Sequence, residues 1–232
     1  MIMSFSRPRT ALALALAVLG VGTAAALAEV VVYSNDMSSE AAFKQILRAG
    51  GGKRCDKKYR DKSEVMLASV KKTPTTCSFR PPVQGDDELP NQGIAIDGKV
   101  LKETPKFLRN KAFIEATVRA GGGNTGYSLR IYPKKQRFEL QRGPDGGDFP
   151  VTGNSKAINK IDQKNRIEVI ATGAEIRALI NGKEVAKLND SNLGQVDGRK
   201  VRFAIGSGSQ RDTEKSVVGT FKRIAVSVPD PG

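Results

Sequence analysis

Between residues 111 and 142, apolar side chains recur at every second position through three short runs. This alternation limits what the chain can fold into more than any other feature. In the first run Ala112, Ile114, Ala116 and Val118 fall on one side of an extended backbone, with Phe113, Glu115, Thr117 and Arg119 on the other. Gly121-Gly122-Gly123-Asn124 marks a turn. The second run sets Tyr127, Leu129 and Ile131 against Ser128, Arg130 and Tyr132. After Pro133-Lys134-Lys135, Phe138 and Leu140 alternate with Arg137, Glu139 and Gln141. A helix needs a period near 3.6, so three consecutive runs of period two predict an antiparallel meander with one dry and one wet face.

The flanking sequence extends the pattern. Val30, Val31, Val32 and Tyr33 suit a first strand, and residues 35–39 offer helix N-caps. Phe43, Ile46 and Leu47 then recur at helical spacing until Gly50-Gly51-Gly52, which predicts one short amphipathic helix and no other. Residues 53–62 read as a basic exposed loop, and 64–70 with 75–80 as a hairpin around Lys71-Lys72-Thr73-Pro74. The polar crossing from Pro81 to Pro90 holds Asp86-Asp87-Glu88, residues 93–97 form a short strand, and residues 143–154 read as a glycine-rich surface loop. Strands are expected at 166–171 and 174–180, with Asn181-Gly182 turning the chain back through Val185 and Leu188. Asn-Gly between two β-like runs fits a type I′ turn, which needs positive φ at both centres. Residues 200–206 and 220–228 alternate again. Ten or eleven strands without a solenoid repeat predict an all-β, two-sheet antiparallel sandwich, with residues 29–232 as a single domain.

The first residues carry an address. Arg7 and Arg9 precede an apolar run at 11–26, and Ala26-Leu27-Ala28 has the small-x-small form of a signal-peptide cleavage site, so the mature chain is expected to begin at Glu29. The run is short and alanine-dominated, with no stop-transfer segment after it, which argues against a membrane anchor. Residues 29–232 then carry 36 basic against 24 acidic side chains, a balance of +12. An exported basic chain fits polyanionic neighbours such as acidic glycans or envelope polymers, although the basic residues are spread along the sequence and no single run marks a patch. Cys55 and Cys77 are the only cysteines, and an even pair in an exported chain predicts one disulfide.

From Ala112 to Val228 the order of motifs resembles a concanavalin A-like, laminin-G-like jelly roll. The pieces that carry the likeness are Val118-Arg119, Gly126-Tyr127-Ser128-Leu129-Arg130-Ile131, Arg137-Phe138-Glu139-Leu140 and Asn165-Arg166-Ile167-Glu168-Val169. Ile180-Asn181-Gly182-Lys183, Phe203-Ala204-Ile205-Gly206 and Gly219-Thr220-Phe221-Lys222-Arg223-Ile224 complete it. The likeness covers about half the chain and bears on fold more than on activity, because that superfamily holds lectins, glycan-binding modules, adhesion domains and hydrolases. Its glucanases carry a Glu-x-Asp-x-x-Glu strand that is absent here. Its frequent calcium site makes Asp36 a weak candidate ligand, but Lys222 stands in the closing strand where relatives often place an acid, so Asp36 is expected to cap the helix instead. No other cofactor is expected.

The histidine count is zero, which removes Ser-His-Asp and Cys-His catalysis and imidazole-based zinc sites. A carboxylate pair remains the one hydrolytic route, and Glu115 and Glu139 are its candidates. The wet face of the central meander is the expected ligand surface, with Glu115, Arg119, Arg130, Tyr132, Arg137, Glu139 and Gln141 as binding candidates. An ordinary solvated sheet face laced with Arg-Glu pairs would show the same residues. The absence of tryptophan leaves little for sugar stacking, and nucleic acid is a poor fit because only Tyr132 stands among basic neighbours. The expectation is an exported, non-catalytic module that binds a glycan, an anionic polymer or a protein surface. A glycosidase with atypical carboxylates and an adhesion protein of the cell envelope are the alternatives.

Overall fold

The computed structural model describes residues 29–61, 65–70, 76–83, 91–121, 126–143, 148–190, 200–208 and 215–229. The expected signal peptide, the turn at Lys71-Pro74, the acidic Asp86-Asp87-Glu88 and residues 122–124 of the glycine turn lie outside them. Fifteen strands run through the described residues. The first eight are β1 (Glu29–Asn35), β2 (Leu47–Arg48), β3 (Cys55–Arg60), β4 (Val65–Val70), β5 (Thr76–Arg80), β6 (Gln92–Val100), β7 (Ala112–Ala120) and β8 (Tyr127–Tyr132). The others are β9 (Arg137–Arg142), β10 (Asp148–Asn154), β11 (Asn165–Thr172), β12 (Glu175–Ile180), β13 (Lys183–Asn189), β14 (Lys200–Ser207) and β15 (Val217–Pro229). Two short helices, α1 (Glu40–Gln45) and α2 (Lys106–Arg109), and a 3-10 turn at Gly52–Arg54 are the other elements among the described residues.

The strands form two antiparallel sheets packed as a jelly-roll sandwich. One has the order β13-β12-β11-β6-β15-β4-β3, and β1 pairs with the part of β15 that β4 does not reach. The other has the order β10-β9-β8-β7-β14-β5-β2. Aliphatic residues of the predicted alternation fill the space between them: Ile114, Leu129 and Val169 are fully buried. At the centre the Phe203 ring lies 4.9 Å from Phe221 and 5.6 Å from Phe79, so strands of both sheets share one aromatic cluster. Gly98 permits that approach, since a Cβ there would come within 3.0–3.1 Å of the Phe221 ring and the Ile114 side chain. Cys55 and Cys77 form the expected disulfide, with a Cα–Cα distance of 5.4 Å, and it joins β3 of one sheet to β5 of the other.

Several local expectations are corrected. The segments at 64–70 and 75–80 do not pair as a hairpin: β4 lies between β3 and β15, whereas β5 lies between β14 and β2 in the opposite sheet. Residues 55–60 are an edge strand rather than a loop, and their lysines and arginine are what an exposed edge carries to resist pairing with another chain. Residues 148–154 are a strand on β9 rather than loop, and the segment at 93–97 is the middle of a nine-residue strand between β11 and β15. Helix α1 stops at Gln45, so Leu47 belongs to a strand, and α2 adds one helical turn that no periodicity announced. The N-cap of α1 is Ser39, whose Oγ accepts the Ala42 N–H at 3.1 Å, not Asp36. Asp36 instead accepts the Ser38 N–H at 2.9 Å, and the Ser38 hydroxyl first, then this N–H, hold its carboxyl below the usual range.

Candidate functional site

Strand register brings the predicted residues of the central meander into rows. Glu115 on β7 faces Arg130 on β8, which faces Glu139 on β9, which faces Thr152 on β10. One step along, Tyr132 faces Arg137 and then Asn154, and one step the other way Thr117 faces Ser128 and then Gln141. Side chains in such rows lie within bonding reach of one another because paired Cβ atoms are about 5 Å apart.

They use that reach fully. Arg130 donates from Nε to Glu115 Oε2 at 2.8 Å and from Nη2 to the same oxygen at 2.7 Å, and its guanidinium lies 3.9 Å from the centroid of the Phe113 ring. Burial works against the charge on Arg130, but Glu115 and Tyr132 more than offset it and hold the group above its ordinary value. Glu139 accepts from the Tyr132 hydroxyl at 2.9 Å, from Gln141 Nε2 at 3.3 Å and from Arg137 Nη2. Burial pushes the Tyr132 phenol up to about 12; Arg130 pulls it down and Glu139 adds to the rise. The Thr117 and Ser128 hydroxyls share a bond of 2.8 Å.

The predicted wet face is therefore not wet at its centre. Every residue of β7 is buried, and Glu115 and Glu139 are 8% and 6% exposed. The sequence pattern read polarity as solvent exposure, whereas β7 lies in the middle of seven strands and its polar side chains are covered by the bonds they make. Accessible groups lie on the β9–β10 side. The Arg137 side chain is 41% exposed, and Thr152 and Asn154 are exposed. Phe113, sealed under Arg130 and set edge-on to Tyr132 at 5.9 Å, offers no stacking surface. The roles of Phe113, Thr152 and Asn154 were missed; counting Phe113 as an outward residue of β7 was the one signal available for it.

Arg119 does not join the others. It has φ +51 where β7 departs from regular pairing with β14. Its N–H donates to Gln92 Oε1 at 2.8 Å, and its Nη2 donates to the Gly173 carbonyl at 2.6 Å, in the β11–β12 turn of the other sheet. Nearby, Asp190 accepts from the Tyr127 hydroxyl at 2.6 Å and pairs with Arg142 at 3.1 Å. Burial first, then Asp190, raises the Tyr127 phenol above its ordinary value. These groups bind the two sheets together at one end of the sandwich. Among the described residues no three carboxylate, thiol or imidazole groups converge as metal ligands, around Asp36 or elsewhere.

Neither a family model nor a curated protein matches the chain. Solved structures do resemble it. A Bacillus subtilis protein of unknown function with a galectin-like fold aligns over 86% of this chain and 97% of its own, with a TM-score of 0.60 and 13% identity. Carbohydrate-binding module CBM66 from the same organism aligns over 78% of this chain and 94% of its own, with a TM-score of 0.56 and 9% identity. Alginate lyase A1-II′, of polysaccharide lyase family 7, aligns over 74% and 83%, with a TM-score of 0.55 and 13% identity. At these identities the likeness is one of fold, a galectin-like jelly-roll sandwich.

Proposed function

We propose that the protein is an exported, non-catalytic glycan-binding module of the concanavalin A-like, laminin-G-like type, and that it binds through the outer face of its seven-stranded sheet. The observation that carries this reading is the Glu139 carboxylate, which gathers Arg137, Tyr132 and Gln141 around itself beside the exposed Thr152 and Asn154. Donors and acceptors fixed by one another, next to a hydroxyl and an amide in solvent, are what a sugar's hydroxyl groups require. The sandwich of a carbohydrate-binding module supports the reading as analogy. Export is supported by the leader-like first residues and by the disulfide.

The same groups argue for binding over catalysis. Glu115 and Glu139 are both engaged by arginine, so neither faces an open space where water or a leaving group would sit. Tyr132, the other titratable group in the network, has its phenol displaced away from neutrality, which is the wrong direction for a base. With histidine absent from the chain, no imidazole stands in as the proton acceptor.

A glycan array at moderate salt, followed by titration of each hit against Arg137→Ala and Glu139→Gln, tests the proposal. Both substitutions are expected to weaken the best glycan by about tenfold or more, corresponding to the loss of one or two charge-assisted hydrogen bonds. Silence across neutral and acidic polymers, or hits indifferent to both variants, would rule this face out. Bond cleavage in any hit, lost on Glu139→Gln, would make the protein an enzyme.

A further inference from the structure

On the opposite side of the sandwich, an open cleft of about 520 Å³ lies between β1 with α1 and the outer surface of β15 and β11. We infer that this cleft is a second saccharide site, which takes a sugar bearing a carboxylate, such as a uronate unit of an acidic polysaccharide.

Two arginines that line it carry the inference, one without an acidic partner among the described residues and one whose ion pairs leave its guanidinium partly exposed. Arg223 is the additional residue of a bulge: Lys222 pairs with Asp97 and Ile224 with Ile96, which leaves Arg223 without a register partner on β6. It has φ +52, a conformation that glycine would adopt at no steric cost, and its side chain is exposed with no acidic partner among the described residues. Arg166 is 42% exposed and only loosely engaged, through Nη1 to Asp97 at 3.5 Å and through Nε to Glu168 at 3.9 Å. Asp97 already has Lys164 at 3.3 Å, so Arg166 is not needed to neutralise it. Two arginines lining one cleft offer it guanidinium donors, the groups that recognise a carboxylate.

The rest of the cleft suits a sugar ring. Ser34, Asp36 and Gln45 line it with a hydroxyl, a carboxylate and an amide for ring hydroxyls, above the small apolar surfaces of Ala42 and Ala225. Its wall is fixed in advance. Asn35 donates to the Tyr33 hydroxyl and the Ala42 carbonyl, both at 2.8 Å, and accepts the Met37 N–H at 2.9 Å, clipping β1 to α1. The volume falls within the usual range for small-ligand sites, about 300–1,000 Å³.

The test titrates the protein with three tetrasaccharides, one of galacturonate, one of neutral galactose and one of sulfated galactose. Binding is followed by calorimetry and by the arginine Nε–H resonances. Galacturonate is expected to bind and to shift the Arg166 and Arg223 signals. Arg223→Gly and Arg166→Ala are each expected to weaken that binding at least about tenfold, the loss of a charge-assisted pair. Arg223→Gly is expected to melt no lower than the parent, because glycine accepts the left-handed backbone, which separates lost binding from lost fold. Galacturonate binding that survives Arg223→Gly within twofold, absence of any galacturonate binding, or binding of the sulfated sugar alone overturns the inference. Failure of the seven-stranded face reads out separately, as indifference of glycan-array hits to Arg137→Ala.

Discussion

The two outer faces of the sandwich use arginine in opposite ways. On the seven-stranded sheet Arg130 is largely covered, doubly bonded to Glu115 and stacked on Phe113, and Arg137 is held against Glu139. On the eight-stranded sheet Arg223 has no acidic partner among the described residues, and Arg166 pairs at longer range, with Asp97 at 3.5 Å and Glu168 at 3.9 Å. The first arrangement is charge-balanced and rigid, presenting hydrogen-bonding edges; the second leaves positive charge available. Position in the sheet explains the difference. Arg130 comes from a strand with neighbours on both sides and meets a carboxylate in register, whereas a bulge puts Arg223 out of register, where no cross-strand acid faces it.

Removing one member of a buried pair should show this contrast most strongly. Glu115→Ala strands the Arg130 guanidinium in the sheet centre and should cost about 3 to 4 kcal/mol, read as a shift in the urea midpoint. Glu184→Ala breaks a pair of similar length, 2.7 Å to Arg177, on the exterior of the other sheet, and should cost less than about 1 kcal/mol because both partners are partly in water. Equal losses would erase the distinction between the faces. The double substitution Glu115→Leu with Arg130→Met should regain most of the stability, since a buried ion pair is often replaceable by apolar volume.

The disulfide comes next in size, and it holds the two faces in one body. Replacing Cys55 and Cys77 by alanine should lower stability by about 3 kcal/mol in the chain-entropy account of a loop this long. Glycan binding at the β9–β10 side should survive, because neither strand touches the bond. Parallel loss of binding and stability would mean that the faces depend on each other's placement.

Much of this architecture was legible. The meander could be read because β7, β8 and β9 alternate strictly and pair with their sequence neighbours, and the β12–β13 hairpin because Asn181 and Gly182 take φ values of +51 and +79, as a type I′ turn requires. What escaped depends on contacts distant in sequence. β6 reads as polar and glycine-rich, yet it is almost wholly buried: Gly98 makes room for the Phe221 ring, and Asp97 meets Lys164 from the β10–β11 connection. β4 and β5 look like a hairpin because they are close in sequence, but a sandwich assigns them to different sheets. Strand register sets the candidate residues side by side apart from Arg119, whose positive φ no alternation predicts. The burial of the face was missed, because polarity on a strand shows which side a residue faces and not whether water reaches it. The Arg223 cleft gave no sequence signal, since a bulge in β15 looks like one more basic residue in a run.

Titration separates the faces further. In the folded protein Tyr132 has its pKa raised above the unfolded value to about 12, so its contribution to stability is complete below about pH 10 and is lost as pH rises toward 12. Tyr132→Phe should flatten stability measured between pH 9 and 11, after allowing for Tyr127, whose phenol shifts in the same direction. An unchanged alkaline slope would mean that water reaches the Tyr132 hydroxyl more freely than its burial implies.

The smallest effect belongs to the other face. Glu168 has its carboxyl raised, first by burial and then by Glu29, against the opposing pull of Arg166 and Arg177. A raised carboxyl favours the folded state at pH values below the unfolded carboxyl pKa, and that advantage disappears as pH climbs through the folded one. At neutral pH Glu168 is thus a charged group held where it is partly desolvated. Glu168→Gln should raise the melting temperature slightly at pH 7 and leave it unchanged at pH 4, where both side chains are largely neutral. It should also free the Arg166 Nε now directed at Glu168, at 3.9 Å, and so tighten galacturonate binding in the cleft by a modest factor. A weaker galacturonate complex in that variant would mean that Glu168 orients Arg166 for the ligand and does not compete with it.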